Sequence, residues 1–424
     1  MGASVAGVCA AAELRRAGFE GDLLLLDRSP TAPADPPPLS KEHLAGTMSS
    51  GQAVARLWDR LDGIEVSLRL GTTATGLRIP FRGDAHAAAG GPVPPVDAAH
   101  DGRSIELDVL DADGSARTVV LDGVVIATGS SPRWPEGMAP TSRPSGVHVI
   151  RELADSVRLR EDLEHGPRHV VVVGAGFIGA EVAATARAGG HEVTMVEAAP
   201  LPMSRAVGPL VGRWVADLHR EQGVDVRLGV TVLDVEVDSG GALCAVVLSD
   251  GTRIDATVAV FGLGAAPELG WLNGSGLVVR DGVVCDETLS AAHGVVAAGD
   301  VARWQHRLFG EEMRVEHWEN AIEQGEHAAR RLLGRTEPFT SVPWFWSDQY
   351  GHKIQLAGRP RGDDQVQVIR GDPTSRRFCV AFRRGDRCTG VFGVDQPVPV
   401  VRARTKMASS LDWSDVWPSE GGEK

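Results

Sequence analysis

Val170-Val171-Val172-Val173-Gly174-Ala175-Gly176-Phe177-Ile178-Gly179 decides the fold of this chain. Four valines in a row suit a parallel strand covered on both faces. The three glycines that follow permit a tight turn, close backbone approach to a pyrophosphate, and close packing of the next helix on the strand. That helix is expected over 178–188 and ends in Gly189-Gly190. Its N-terminus offers free N–H groups and the positive end of a dipole to an anion. Glu197 stands 18 residues past Gly179, where a carboxylate accepts hydrogen bonds from ribose hydroxyls. A carboxylate there repels a 2′-phosphate, so NADH is favoured over NADPH. Glycines alone are a weak signal. Strand, turn, helix and acid together predict a dinucleotide site.

The spacing recurs at the start of the chain, in Gly2-Ala3-Ser4-Val5-Ala6-Gly7. Ser4 replaces the second glycine, but it is small and its hydroxyl can donate to a phosphate oxygen. A helix is expected over 8–18, ended by Gly18, and a buried strand over 22–26. Asp27, 20 residues past Gly7, is the matching ribose acid. Only Met1 precedes this turn, so a lead-in strand of about 5–6 residues is expected upstream. A chain that begins at Met1 is expected to hold its nucleotide loosely. Two such turns imply two dinucleotides on one polypeptide, and hence electron transfer between a flavin and a nicotinamide.

The 424 residues suffice for two to four domains, and 43% hydrophobic with 23% charged residues is ordinary for a globular chain. A formal net charge of −13 speaks against nucleic-acid binding and against a polybasic membrane surface. No apolar run reaches the ~20 residues that span a bilayer, and no signal peptide is evident. Cys9, Cys244, Cys285, Cys379 and Cys388 form no C-x-x-C pair, which suits a reducing cytoplasm and offers no metal-ligand spacing.

A loop at 31–38 leads into a helix expected from Leu39-Ser40-Lys41. A Gly/Ala/Pro/His-rich exposed loop is expected at 79–104. Strands are read at 105–110, 119–126, 224–228, 231–237, 242–248, 257–261 and 295–298, and a helix at about 320–333. Beyond 339, strands at 344–346, 353–357, 365–369, 378–382 and 390–394 predict an antiparallel sheet. Residues 340–424 hold 13 Lys and Arg against 10 Asp and Glu, so this region is basic on an acidic chain. The fold class is therefore α/β. Two Rossmann-like domains, for FAD (1–132 and 255–334) and for NAD (133–254), are joined by a C-terminal α+β domain (335–424).

These motifs carry a family resemblance: GASVAG at 2–7, PPLSK at 37–41, ATGSSPR at 127–133 and VVVGAGFIGAE at 171–181. GLGAAPE at 262–268, VVAAGDVA at 295–302, VEHWENAIEQG at 315–325 and FWSDQYGHKIQLAG at 345–358 continue it. In this order the chain resembles the flavin-dependent ferredoxin reductases that serve bacterial oxygenases, of the putidaredoxin, rubredoxin and dioxygenase reductase type. The resemblance implies an FAD site of Gly2, Ser4, Ala6, Gly7, Asp27, Lys41, Ala127, Thr128, Gly129, Arg133, Asp300, Glu316, His317 and Trp318. It implies an NAD site of Gly174, Gly176, Phe177, Ile178, Gly179, Glu181, Glu197, Gly262 and Gly264. Lys41 would pair with Glu181 as the catalytic pair. The ammonium would stabilise anionic reduced flavin, and the carboxylate would favour the charged lysine. Phe177 would cover the face on which nicotinamide stacks.

Related disulfide reductases carry redox cysteines near residues 39–44, where this chain has Leu-Ser-Lys-Glu-His-Leu. Dithiol relay is thereby excluded, and electrons are expected to leave directly from the flavin. Hydride transfer needs no strong base, so His43, His317 and His352 are not expected as acid–base groups. The implied reaction carries electrons from NADH through FAD to an iron–sulfur ferredoxin that feeds a haem or Rieske oxygenase. Arg376, Arg377, Arg383, Arg384, Arg387, Arg402 and Arg404 are candidates for steering that acidic partner. Rubredoxin, a quinone or oxygen as acceptor, a flavin-free binding protein, and a monomeric or homodimeric state all stay open.

Overall fold

The structure, a computed structural model, describes residues 1–79 and 104–417. The glycine-rich loop expected at 79–104 falls almost wholly outside the described residues. Contacts divide the chain into two compact units. The first comprises Met1–Asp35, Val54–Ser131 and Ala266–Ser341; the second comprises Pro36–Ala53, Pro132–Ala265 and Val342–Lys424. The segments 133–254 and 335–424, read separately from the sequence, thus fall mainly in the same unit.

In the first unit the helix Val5–Arg16 starts at the glycine turn itself, three residues before the expected start, because Ser4 leaves the extended conformation directly into the helix. The strand Leu24–Leu26 pairs in parallel with Ser67–Arg69. A second small sheet joins Val124–Ile126 in parallel to Val295–Ala297. Residues 1 and 2 run between the two: the Met1 ammonium donates to Val125 O, Ala127 N to Met1 O, and Gly2 N to Leu26 O. An apolar cavity of about 930 Å³, lined by Leu14, Leu25, Val125 and Val296 among others, adjoins these residues. The strand expected over 119–126 is two strands, Ala116–Leu121 and Val124–Ile126, broken at Asp122-Gly123. Ala116–Leu121 belongs instead to an antiparallel meander with Thr73–Arg78 and Ile105–Leu110. The helix Trp318–Leu332 packs on Val5–Arg16 so tightly that a Cβ on Gly325 would stand 2.4 Å from Ala6 O.

The second unit is built on a five-stranded parallel sheet in the order Asp225–Leu228, Glu192–Glu197, His169–Val173, Val258–Phe261, Val147–His148. The central strand places Val170 to Val173 opposite Val193 to Val196 on one side and opposite Val258 to Phe261 on the other. Valine suits this position because both faces of the strand are covered. The expected antiparallel C-terminal sheet is present, in the order Trp344–Gln349, His352–Gly358, Arg387–Val394, Arg377–Arg384, Gln365–Asp372.

Two elements of this unit differ from expectation. Leu39-Ser40-Lys41 does not open an α-helix; Pro37–Ser40 is a 3₁₀ turn that ends at Lys41, whose φ of −123° and ψ of −104° are not helical. The helix Ser204–Glu221 was not foreseen. It bends at Gly208, whose φ is +71°, just before Pro209. Its Val207, Val211, Trp214, Val215 and Leu218 share one core with Phe345, Phe378, Phe382 and Phe392 of the C-terminal sheet. Among the described residues no helix is long and apolar enough to cross a membrane.

Candidate functional site

The two glycine turns are built alike. Gly174 N donates to Val196 O over 2.8 Å, as Gly2 N does to Leu26 O. A Cβ on Gly179 would stand 2.0 Å from Gly174 O, and one on Gly7 would stand 1.8 Å from Gly2 O. Across the next strand, a Cβ on Gly174 would meet Gly262 O at 2.4 Å, and one on Gly2 would meet Ala127 O at 2.2 Å. Gly262-Leu263-Gly264 in the second unit thus occupies the role of Ala127-Thr128-Gly129 in the first. Both end in a glycine with positive φ, +81° at Gly264 and +68° at Gly129.

The acids repeat too. Glu197 accepts from Ala175 N and Ala199 N, both at 2.8 Å. Asp27 accepts from Ala3 N at 2.6 Å and Ser29 N at 2.8 Å. Each carboxylate therefore clamps the second residue of its turn to the end of the second strand. The resulting cradles suit a dinucleotide. A Cβ on Gly176 would meet nothing within 4 Å, so open space lies beside the helix N-terminus. Ser4 makes no side-chain cap bond to its own helix, which leaves its hydroxyl to an incoming group. Beside the second turn lies a cavity of about 830 Å³, lined by Gly174, Gly176, Glu197, Arg205, Phe261 and Gly262. That volume is within the range of cofactor sites, roughly 300–1,000 Å³.

The first unit places the other predicted residues at one strand end and at the starts of two helices. Asp300 is buried at the close of Val295–Ala297, and Ser130 Oγ donates to its carboxylate at 2.8 Å. Arg314 donates to Asp300 O and pairs with Glu316 at 2.6 Å. His317 is the N-cap of the helix Trp318–Leu332, and Ala6 lies in the helix of the first turn. Trp318 is half-buried; its indole N–H donates to the buried Asp35 at 2.6 Å, and the Arg60 guanidinium lies 5.6 Å over its ring. Arg133 is exposed, belongs to the second unit, and donates to Gly264 O and Ala265 O there.

In the second unit Lys41 and Glu181, 140 residues apart, meet with 3.3 Å between Nζ and Oε1. Glu181 is buried, and burial pushes its carboxyl above the usual range, opposed by the Lys41 ammonium and by hydroxyl donors. Those donors were not foreseen. Ser40 Oγ donates to Oε2 at 2.5 Å, and Ser347 Oγ donates to Oε1 at 2.7 Å. Phe177, the first residue of the helix Phe177–Ala188, makes an edge contact at 4.1 Å with Phe345, also unforeseen, while Ile178 is exposed. Phe345 and Ser347 lie in the motif at 345–358, but it gave neither a role, and the alternation of Trp344-Phe345-Trp346-Ser347 only puts them on one face of a strand.

The histidines have structural partners. His43 is buried between Ser156 Oγ at 2.7 Å and Ser50 Oγ at 3.1 Å, and His352 bonds Asp395 at 2.7 Å. Several of the C-terminal arginines serve the fold. Arg384 makes two bonds to the buried Asp364, Arg383 pairs with Asp386 and covers Trp413, and Arg404 donates to Val342 O. All five cysteines are unpaired, and four are buried.

Comparisons with known proteins agree with this architecture. Residues 1–325 match the family described as pyridine nucleotide-disulphide oxidoreductase, and residues 344–415 match the one described as reductase C-terminal. The chain is 32% identical to putidaredoxin reductase of Pseudomonas putida, over 94% of this chain and 88% of that protein. It is 33% identical to the ferredoxin–NAD(+) reductase component of the p-cumate 2,3-dioxygenase system of Pseudomonas putida, over 97% of this chain and 94% of that protein. The crystal structure of the covalent putidaredoxin reductase–putidaredoxin complex superposes with a TM-score of 0.84 at 31% identity, covering 96% of this chain and 92% of that one.

Proposed function

The chain belongs to the pyridine nucleotide-disulphide oxidoreductase family, and from that premise we propose that it is an FAD-dependent ferredoxin–NAD(+) reductase supplying electrons to an oxygenase. FAD, when bound, supplies the conversion of a two-electron donation by a nicotinamide into single electrons for an iron–sulfur protein. The observation that carries the reading is the duplicated turn, two cradles of the same construction on one chain, each with its own carboxylate clamp.

In the first unit, Gly2, Ser4, Ala6, Gly7, Asp27, Ala127, Thr128, Gly129 and Asp300 would hold FAD, with Glu316, His317 and Trp318 at the start of the last helix. In the second, Gly174, Gly176, Gly179, Glu197, Gly262 and Gly264 would hold the nicotinamide nucleotide, with Phe177 at its head. The turn helices offer N–H donors to pyrophosphate oxygens. Glu197 presents a negative charge where a 2′-phosphate would have to lie, which supports NADH as the donor. Lys41 would counter negative charge on reduced flavin, and Glu181 would hold the ammonium in place. The cysteine-free segment around Lys41 supports direct electron exit, and the unpaired thiols support a reducing, cytoplasmic setting. A division into FAD (1–132 and 255–334), NAD (133–254) and C-terminal (335–424) parts belongs to the same proposal.

The test is NADH-driven reduction of a [2Fe–2S] ferredoxin by the purified, FAD-loaded protein under anaerobic conditions. Bleaching of the ferredoxin is expected. NADH consumption that leaves every tested ferredoxin oxidised would count against the assigned acceptor.

A further inference from the structure

The Lys41–Glu181 pair is held by more than itself. Glu181 sits on the helix Phe177–Ala188, one turn after Phe177. Across from it runs Trp344–Gln349, the edge strand of the C-terminal sheet, with Phe345, Ser347 and Gln349 all buried on one face. Four residues along a helix rise about 6 Å, and two residues along a strand rise about 6.7 Å. The match lets Phe345 meet Phe177 while Ser347 meets Glu181. Gln349 Nε2 then donates to Ser347 Oγ at 3.0 Å. That bond occupies an acceptor site on the hydroxyl and leaves its hydrogen for Glu181.

We infer that Ser347 is a positioning residue, which orients the Glu181 carboxylate by donating to Oε1, the oxygen that also faces Lys41. The inference rests on the proposed role of the Lys41–Glu181 pair. The groups that face Glu181 are few. Pro37–Ser40 and the residue after it supply the Ser40 hydroxyl and the Lys41 ammonium, and the edge strand supplies Ser347 backed by Gln349, while Thr185 on the carboxylate's own helix donates to Ser40 O instead. Among charged groups, Lys41 acts most strongly on the carboxylate. Removing the Ser347 hydroxyl takes one of two neutral donors from a buried anion. It also leaves Gln349 without its acceptor.

The experiment is an infrared pH titration of the Glu181 carboxyl in the purified holoprotein, with Glu181→Gln used to identify its band. Wild type, Ser347→Ala and Ser347→Thr are compared. Since a hydrogen bond to a charged group contributes roughly 1.5–3 kcal/mol, Ser347→Ala is expected to protonate Glu181 at a pH about one unit or more higher. Ser347→Thr, which keeps the hydroxyl, restores the wild-type titration. A role for Ser347 in packing alone would lower the thermal midpoint of Ser347→Ala without moving the titration, and that result overturns the inference. Ser347→Thr titrating like Ser347→Ala would overturn it as well. The readout needs neither NADH nor ferredoxin, so a wild-type protein that reduces no ferredoxin, while Ser347→Ala shows the expected Glu181 shift, counts against the proposed function instead.

Discussion

Gly176 and Gly179 belong to one turn, and the structure gives them separate duties that alanine can distinguish. A Cβ on Gly179 would meet Gly174 O at 2.0 Å, whereas ordinary contact begins at 3.4 Å. The oxygen must therefore retreat by about 1.4 Å, and as backbone held between two strands it cannot swing aside. Such overpacking costs about 3 kcal/mol, the upper end of its usual range, which lowers the thermal midpoint by roughly 6–12 °C for a unit of this size. At Gly176 the Cβ would enter open space, and its φ of −74° is allowed to any residue. The folding cost is that of alanine at a helix N-cap, at most about 1 kcal/mol. The methyl group does, however, occupy the space into which a pyrophosphate must fit. Gly176→Ala is thus expected to melt within about 4 °C of wild type while binding NADH at least about tenfold more weakly, a change of about 1.4 kcal/mol. Differential scanning calorimetry and fluorescence titration with NADH read the two effects separately. Unchanged NADH affinity in Gly176→Ala, or an unchanged midpoint in Gly179→Ala, would refute the reasoning.

Three further outcomes are expected. Glu197→Gln removes the negative charge from a cavity that Arg205 also lines, so the kcat/KM preference for NADH over NADPH should fall about tenfold; an unchanged ratio removes Glu197 from donor choice. His219 is buried against Tyr350, and burial holds its imidazole near pKa 4 instead of 6.5. Above pH 6.5 it is neutral folded or unfolded. Between pH 6.5 and 4 the unfolded chain takes up a proton that the folded chain refuses, so up to about 3 kcal/mol of stability is lost as pH falls. Urea midpoints should decline less steeply with acid in His219→Gln, and parallel declines would contradict this. Burial raises the Cys9 and Cys388 thiols to about 11 and Cys379 to about 12, and raises Cys285 as well. A thiol reagent on native protein should therefore modify the half-buried Cys244 first, and Cys244→Ser should abolish the fast phase without slowing reduction by NADH.

The parts of the site that are contiguous in sequence were the parts legible in it. The second glycine turn carries its strand, helix and acid within about thirty residues, and the first carries its helix and acid, because close backbone packing tolerates few alternatives to glycine. The parallel and antiparallel sheets were legible from apolar runs and from alternation. Ser40 and Ser347 were not, because a serine acquires meaning only when folding brings it to Glu181 from 141 and 166 residues away. The helix Ser204–Glu221 is not legible in the sequence because Gly208-Pro209 reads as a break, whereas here it is a bend clamped by the aromatic core of the C-terminal sheet. The basic balance of the last region suggested a steering patch, but local partners such as Asp364 and Asp386 claim part of that charge.

The measurement that tests the central claim most directly is an anaerobic titration of the FAD-loaded protein with NADH, followed by oxidised ferredoxin. The account predicts that one NADH bleaches one flavin and that two ferredoxins then restore its colour, with no thiol appearing or disappearing. Flavin that stays oxidised under excess NADH, or colour restored only after a dithiol forms, would contradict it.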